Sequence, residues 1–261
     1  MQHIFLSHDV DWKKQGAPLE HIYARKDRFE KFVLDNAITN NPYYNIPKYI
    51  EIEEKFGVKS TFFFRTIYEN GNFEDYEDEI SSLTKGGWEI GLHSDPSSIN
   101  DEKRILKEKT ELEKLTKKVI RGNRVHYLGF NKELPEKLKN LGFVYDSSIR
   151  NTKDKIDANE MGHYETNGII EFPITLMDAY MFTYMKITEE QIIPLFKKTL
   201  DYGRELNSEF NVITVIWHDN VLQMKGGRMY NKILEYLSSQ EDVTINRGID
   251  LAERICDEKI N

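Results

Sequence analysis

Glycine closes three helical patterns of this chain just before runs of β-branched and aromatic residues, and that rhythm constrains the fold more than any other feature. Pro47 suits the first turn of a helix over 47–56, and Gly57 ends it before a strand-like run at 58–64. The pattern recurs with a helix at 74–85, Gly86-Gly87 and a strand at 88–92, then with a helix at 135–141, Gly142 and a strand at 143–145. An amphipathic helix is expected over 101–119 and a strand with a loop over 121–127. Further strands are expected at 168–172, closed by Pro173, at 211–217, and near Val243. Helices are expected at about 189–206 and 228–237 and from Ile249 onward. Strand and helix in alternation imply an α/β fold with a parallel sheet or barrel, whose functional residues gather at the C-terminal ends of the strands.

Two stretches break the rhythm. Residues 13–46 show no sustained period and read as a long loop insertion, a candidate lid or substrate wall with a short helix near 28–34. Residues 148–167 are polar and irregular. Neither resembles a domain linker, and no internal repeat occurs, so residues 1–261 are expected to form a single domain.

The apolar run His3-Ile4-Phe5-Leu6 leads into Ser7-His8-Asp9-Val10-Asp11-Trp12. Side chains alternate along a strand, so Asp9 and Asp11 would project to the same side. Two carboxylates in one small space repel unless a cation or a proton lies between them, which suggests a metal or acid–base site. On spacing alone, a solvated loop fits equally. Two other expected strands also end in reactive residues, His93-Ser94 after 88–92 and His218 after 213–217, and convergence from distant segments favours a site. His3, His8, His21 and His163 read as structural.

A net charge of −8, with bases interleaved among acids, argues against nucleic acid as a partner, since phosphate backbones need a concentrated basic surface. The charges at 102–118 alternate at helical spacing, as on a solvated helix face. No apolar stretch approaches the ~18 residues of a membrane span. Cys256 is the only cysteine, so no intrachain disulfide can form; with a start that carries no secretion signal, this leads to the expectation of a cytoplasmic protein.

In chain order, Ser7-His8-Asp9-Val10-Asp11-Trp12, Ser60-Thr61-Phe62-Phe63-Phe64, Glu89-Ile90-Gly91-Leu92-His93-Ser94, Arg124-Val125-His126-Tyr127, Tyr145-Asp146-Ser147-Ser148, Glu171-Phe172-Pro173 and Trp217-His218 form a set. This set resembles the polysaccharide deacetylase family with the NodB homology domain, as a divergent member, over nearly the whole chain. The resemblance implies a distorted (β/α) barrel and a divalent metal, commonly zinc. It also implies hydrolysis of the N-acetyl group of an amino sugar in glycan or cell-envelope biosynthesis, with an N-acetylated carbohydrate or a related small amide as substrate.

By position, the resemblance makes Asp9 the general base, Asp11 and His93 metal ligands, and His218 the general acid. Arg124 would brace the base, and the Tyr127 backbone N–H would help hold the oxyanion. Ser94, Ser97, Asp146 and Trp217 are candidate substrate contacts; Asp146 could instead orient His218, and Trp217 could wall an acetyl group. Residues 177–185, rich in Met and Tyr, read as core or pocket lining. Two departures stand out: Ser97 occupies the place of the family's second histidine ligand, and His126 that of a proline. Zinc catalytic sites usually keep three protein ligands, so His126 is a candidate for a relocated third ligand; contact with substrate or Asp9 is the alternative. Rival functions on this scaffold are hydrolysis of a non-sugar amide or ureide, and a catalytically inactive carbohydrate-binding protein.

Overall fold

The computed structural model describes residues 1–206, 208 and 210–258. Its first strand, β1 (Gln2–Val10), leads to two short helices, α1 (Leu19–Tyr23) and α2 (Lys31–Asp35), and then to α3 (Ile46–Phe56) and β2 (Thr61–Phe64). The middle of the chain continues with α4 (Glu77–Gly86), β3 (Glu89–Ser94), α5 (Glu102–Thr116), β4 (Gly122–Val125), α6 (Leu134–Asn140) and β5 (Tyr145–Asp146). Next come β6 (Tyr164–Thr166), β7 (Ile169–Glu171), β8 (Ile174–Met177), α7 (Asp178–Thr183) and α8 (Glu189–Glu205). The chain closes with β9 (Asn211–Ile216), α9 (Tyr230–Ser238), β10 (Val243–Asn246) and α10 (Gly248–Glu258).

These strands form one ten-stranded sheet in the order β6-β7-β5-β4-β3-β2-β1-β9-β8, with β10 also on β1. Only β6 against β7 is antiparallel. The sheet curls into a half-barrel. β1 is its axis: one side pairs along Gln2–Ser7 with β9, while the other is shared by β10 at Gln2–Phe5 and β2 at Ser7–Val10. Gly57 and Gly87 follow α3 and α4 with φ of 65° and 91°, left-handed values that only glycine adopts without a Cβ penalty, so the helix ends fall where the sequence places them.

Alternation along β1 separates two cores. Ile4, Leu6 and Val10 enter the large cluster beneath the helices, whereas Phe5 points into the curl with Phe63, Tyr145 and Phe172. From α10, Leu251, Ala252 and Ile255 close this inner core from below. Each buried Phe contributes on the order of 1.5–3 kcal/mol. The same alternation puts Ser7 and Asp9 on the inner face and His8 on the helix side, where its Nε2 lies 2.7 Å from Glu53 Oε1 and its Nδ1 2.5 Å from Trp217 O.

Residues 13–46 hold more regular structure than expected: besides α2, close to the short helix anticipated near 28–34, α1 and a 3₁₀ turn at Lys26–Arg28 order the stretch, and Tyr43 is buried. Residues 177–185 are divided between core, at Met177 and Met181, and cavity lining, at Tyr180 and Tyr184; the sequence did not show β8 directly after Pro173 or α7 from Asp178.

Candidate active site

Asp9 ends the inner face of β1, and Asp11 lies just beyond the strand. The fully buried Arg124 guanidinium, from β4 three strands along the curled sheet, donates to Asp9 Oδ1 at 2.7 Å, to Ser7 Oγ at 2.8 Å and to Ser147 O at 2.9 Å. Burial pushes the Asp9 carboxyl up, yet the charges of Arg124, His93 and His218 outweigh it and hold the group below its ordinary value. Asp9 is thereby kept ionised. Arg65, not anticipated from the sequence, donates to Asp11 O at 3.2 Å and steadies the turn after β1.

His93 occupies β3, and its Nδ1 lies 2.9 Å from Arg124 O. A carbonyl can only accept, so Nδ1 carries the proton and Nε2 presents a lone pair. That lone pair faces Asp11 Oδ1 at 3.3 Å and His126 Nδ1 at 3.2 Å, and His126 Nδ1 is 3.2 Å from the same Asp11 oxygen. Three potential ligand atoms so placed can hold a cation. A tetrahedral cation with bonds of about 2.0–2.1 Å has ligand–ligand edges of about 3.3 Å, so this triangle fits one face of a metal site. Asp11, His93 and His126 form the only such group found among the described residues. His126 reaches it because the chain leaves β4 in a tight turn with Tyr127 and Leu128 both left-handed, at φ 58° and 55°.

His218 follows β9, and its Nε2 lies 3.7 Å from Asp11 Oδ2. Asp178 holds it from the other side: Oδ1 is 2.7 Å from His218 Nδ1, and Oδ2 accepts from the His218 backbone N–H at 2.5 Å. Burial alone would lower this imidazole, but the charges of Asp178 and Asp11 prevail and push it up to about 10. The ring is therefore cationic, with its Nε2 proton aimed at the cluster. Sequence reasoning missed Asp178, which sits at the end of the unrecognised β8.

Two cavities open from this centre, and Asp11, Ala179 and His218 are in the walls of both. One, of about 390 Å³, is bounded by Asp9, His93, His126, Tyr127, Tyr180 and Tyr184. The other, of about 330 Å³, is lined in part by Trp12 and by His21 and Tyr43 of the stretch after β1. His21, read from sequence as structural, packs edge-on to Trp12 and Tyr43 there.

Four candidate substrate contacts lie outside both cavities. Trp217 is fully buried and donates Nε1–H to Gly227 O at 3.1 Å, so it is a core residue. Asp146 is fully buried, accepts from Asn123 Nδ2 and Ser148 Oγ at 2.8 Å, and leaves the orienting of His218 to Asp178. Ser94 is buried, while Ser97 is exposed, its hydroxyl engaged by Asp95 and Arg104.

No family model and no curated protein matches this sequence. Solved structures do. A protein from Mycobacterium smegmatis assigned as a polysaccharide deacetylase superposes with TM-score 0.69 at 20% identity, covering 99% of this chain and 91% of that one. One from Pseudomonas aeruginosa PAO1, assigned likewise, gives TM-score 0.70 at 13% identity, over 98% and 91%. The Puue allantoinase gives TM-score 0.68 at 14% identity, over 97% and 89%. The chain thus has the curled α/β half-barrel fold of the polysaccharide deacetylases.

Proposed function

We propose that this protein is a metal-dependent hydrolase that removes the N-acetyl group of an amino sugar, with residues 1–261 acting as one domain. Zinc is the proposed cation, and the cytoplasm, in keeping with a single cysteine, the proposed compartment. One observation carries the proposal: the triangle of potential metal ligands Asp11, His93 and His126 stands between a carboxylate braced by Arg124 and an imidazolium braced by Asp178. A binding protein needs no such pairing of base and acid across a metal site.

When bound at Asp11, His93 and His126, a divalent cation supplies Lewis acidity towards the acyl oxygen and towards water. Asp9, held ionised, takes the proton of the attacking water as its oxygen bonds to the acyl carbon. The Tyr127 backbone N–H is assigned to the developing oxyanion. His218 gives its Nε2 proton to the departing nitrogen as the C–N bond breaks, yielding acetate and a free amine; Asp178 fixes the ring and balances its charge. The tyrosines of the larger cavity offer stacking faces for a sugar ring.

The test is metal content of wild type beside Asp11→Ala, His93→Ala and His126→Ala, with acetate release from acetylated amino sugars. Stoichiometric metal lost in all three variants, together with acetate release by wild type, is the expected result. Metal retained in His126→Ala would reduce the protein ligands to Asp11 and His93. The likeness to an allantoinase favours a second reading, ureide hydrolysis, and turnover of ureides without acetate release would select it.

A further inference from the structure

We propose that the smaller cavity binds a phosphate or diphosphate group carried by the substrate, so that the amino sugar is presented as a phosphate ester. This rests on the deacetylase reading of the adjoining centre. Arg25, Arg28, Lys186 and Lys225 all contribute to the wall of that cavity. They come from three separate segments: the turn after α1, the segment after α7, and the loop after β9. The first and third are fastened together, since Phe29 bridges Met224 and the Lys225 N–H donates to Arg28 O at 2.7 Å.

The nearby acids are engaged elsewhere. Arg228 pairs with Glu30 at 3.2 Å and with Glu189 at 2.7 Å. Among the described residues, no carboxylate lies within ion-pair distance of Arg25, Arg28, Lys186 or Lys225, although the chain as a whole carries a net charge of −8. The two carboxylates in the cavity wall, Asp11 and Asp178, are already held by histidines. Arg28, Lys186 and Lys225 are exposed and Arg25 half-buried; Arg25 and Lys225 also donate to the carbonyls of His21 and Asp27. Four cations without a carboxylate partner around one concave site, against the sign of the whole molecule, make its potential positive. Guanidinium groups favour the tetrahedral, multiply charged phosphate over a single carboxylate. His218 lies in the walls of both cavities, so an ester held here sits beside the proposed acetyl-hydrolysing centre.

The test is calorimetric titration of the full-length protein with inorganic pyrophosphate, uridine diphosphate, farnesyl phosphate and malonate. Pyrophosphate is expected to bind, with its affinity falling at least about ten-fold in Arg25→Ala/Arg28→Ala and again in Lys186→Ala/Lys225→Ala, and falling as salt rises. The two double variants alter different segments, so a folding defect in one leaves the other informative. Whichever of uridine diphosphate and farnesyl phosphate binds more tightly identifies the carrier, and both outcomes support a phosphate subsite. Malonate binding as tightly as pyrophosphate would overturn it. So would pyrophosphate binding that both double variants preserve and Asp11→Ala abolishes, because the anion would then sit at the metal centre. Pyrophosphate binding that both double variants weaken, without any acetate release, would sink the deacetylase reading alone; acetate release with no pyrophosphate binding would sink this subsite alone.

Discussion

Replacing Arg124 with Met removes the counter-charge of Asp9 while roughly keeping the volume and apolar character of the stem. Arg124 is fully buried and Asp9 is 2% exposed, so the carboxylate left behind meets water only at the cavity wall. Removing one partner from a buried ion pair costs about 3–5 kcal/mol. Ser7 Oγ keeps its bond to Val215 O and Ser147 Oγ its bond to Phe172 O, while Ser147 O loses its Arg124 donor and adds to that cost. For a chain of this size each kcal/mol moves Tm by about 2–4 °C, so Arg124→Met should melt roughly 6–20 °C below wild type. Urea unfolding followed by circular dichroism, with chelator present throughout, gives the free energies for wild type, Arg124→Met, Asp9→Asn and the double variant. The double variant should recover at least about 2 kcal/mol of the loss, because it no longer buries an unpaired charge. A cost below about 1 kcal/mol for Arg124→Met, or an additive cycle, would refute the claim that this pair is a dry, coupled unit.

Asp178→Asn should lower kcat for acetate release by about 10²-fold or more while leaving the melting profile of a folded protein, since the acid loses its orienting charge. A change within three-fold would remove Asp178 from the mechanism. Far from the centre, burial pushes the Glu89 carboxyl up to about 7, against the pull of its donors Thr61, Ile249 N–H and Tyr145. The folded form then holds a proton that the unfolded chain has released, so stability should fall by about 3 kcal/mol as pH rises from about 4.5 to about 7. Glu89→Gln should flatten that part of the stability–pH curve, and an unchanged slope in urea titrations at several pH values would reject the assignment.

Asp9, His93 and His218 were legible at the ends of expected strands, where period-two alternation tells which neighbours share a face, whereas Arg124 came only from the family resemblance. Asp178 was not legible. β8 spans only Ile174–Met177 beside Pro173, and α7 only Asp178–Thr183, too little chain for either period to show. The same shortness hid α1, which has five residues, while α2, equally short, falls close to the helix expected near 28–34. Trp217 and Asp146 misled for another reason: sequence separates two faces of a strand but does not say which element covers them. The loop at Gly227 covers one, and Asn123 with Ser148 absorbs the other.

The divided edge of β1 also sets an order of events during synthesis. Its first half pairs with Val243–Asn246, more than two hundred residues later in the chain, and its other side pairs with Asn211–Ile216. Until those segments leave the ribosome, β1 has only β2 as a sheet neighbour, and the inner core lacks the α10 residues that close it. Contacts of such long sequence separation make for slow folding. A nascent chain of this protein therefore carries an open, apolar strand edge through most of translation, which makes it a natural client for chaperones that shield such edges.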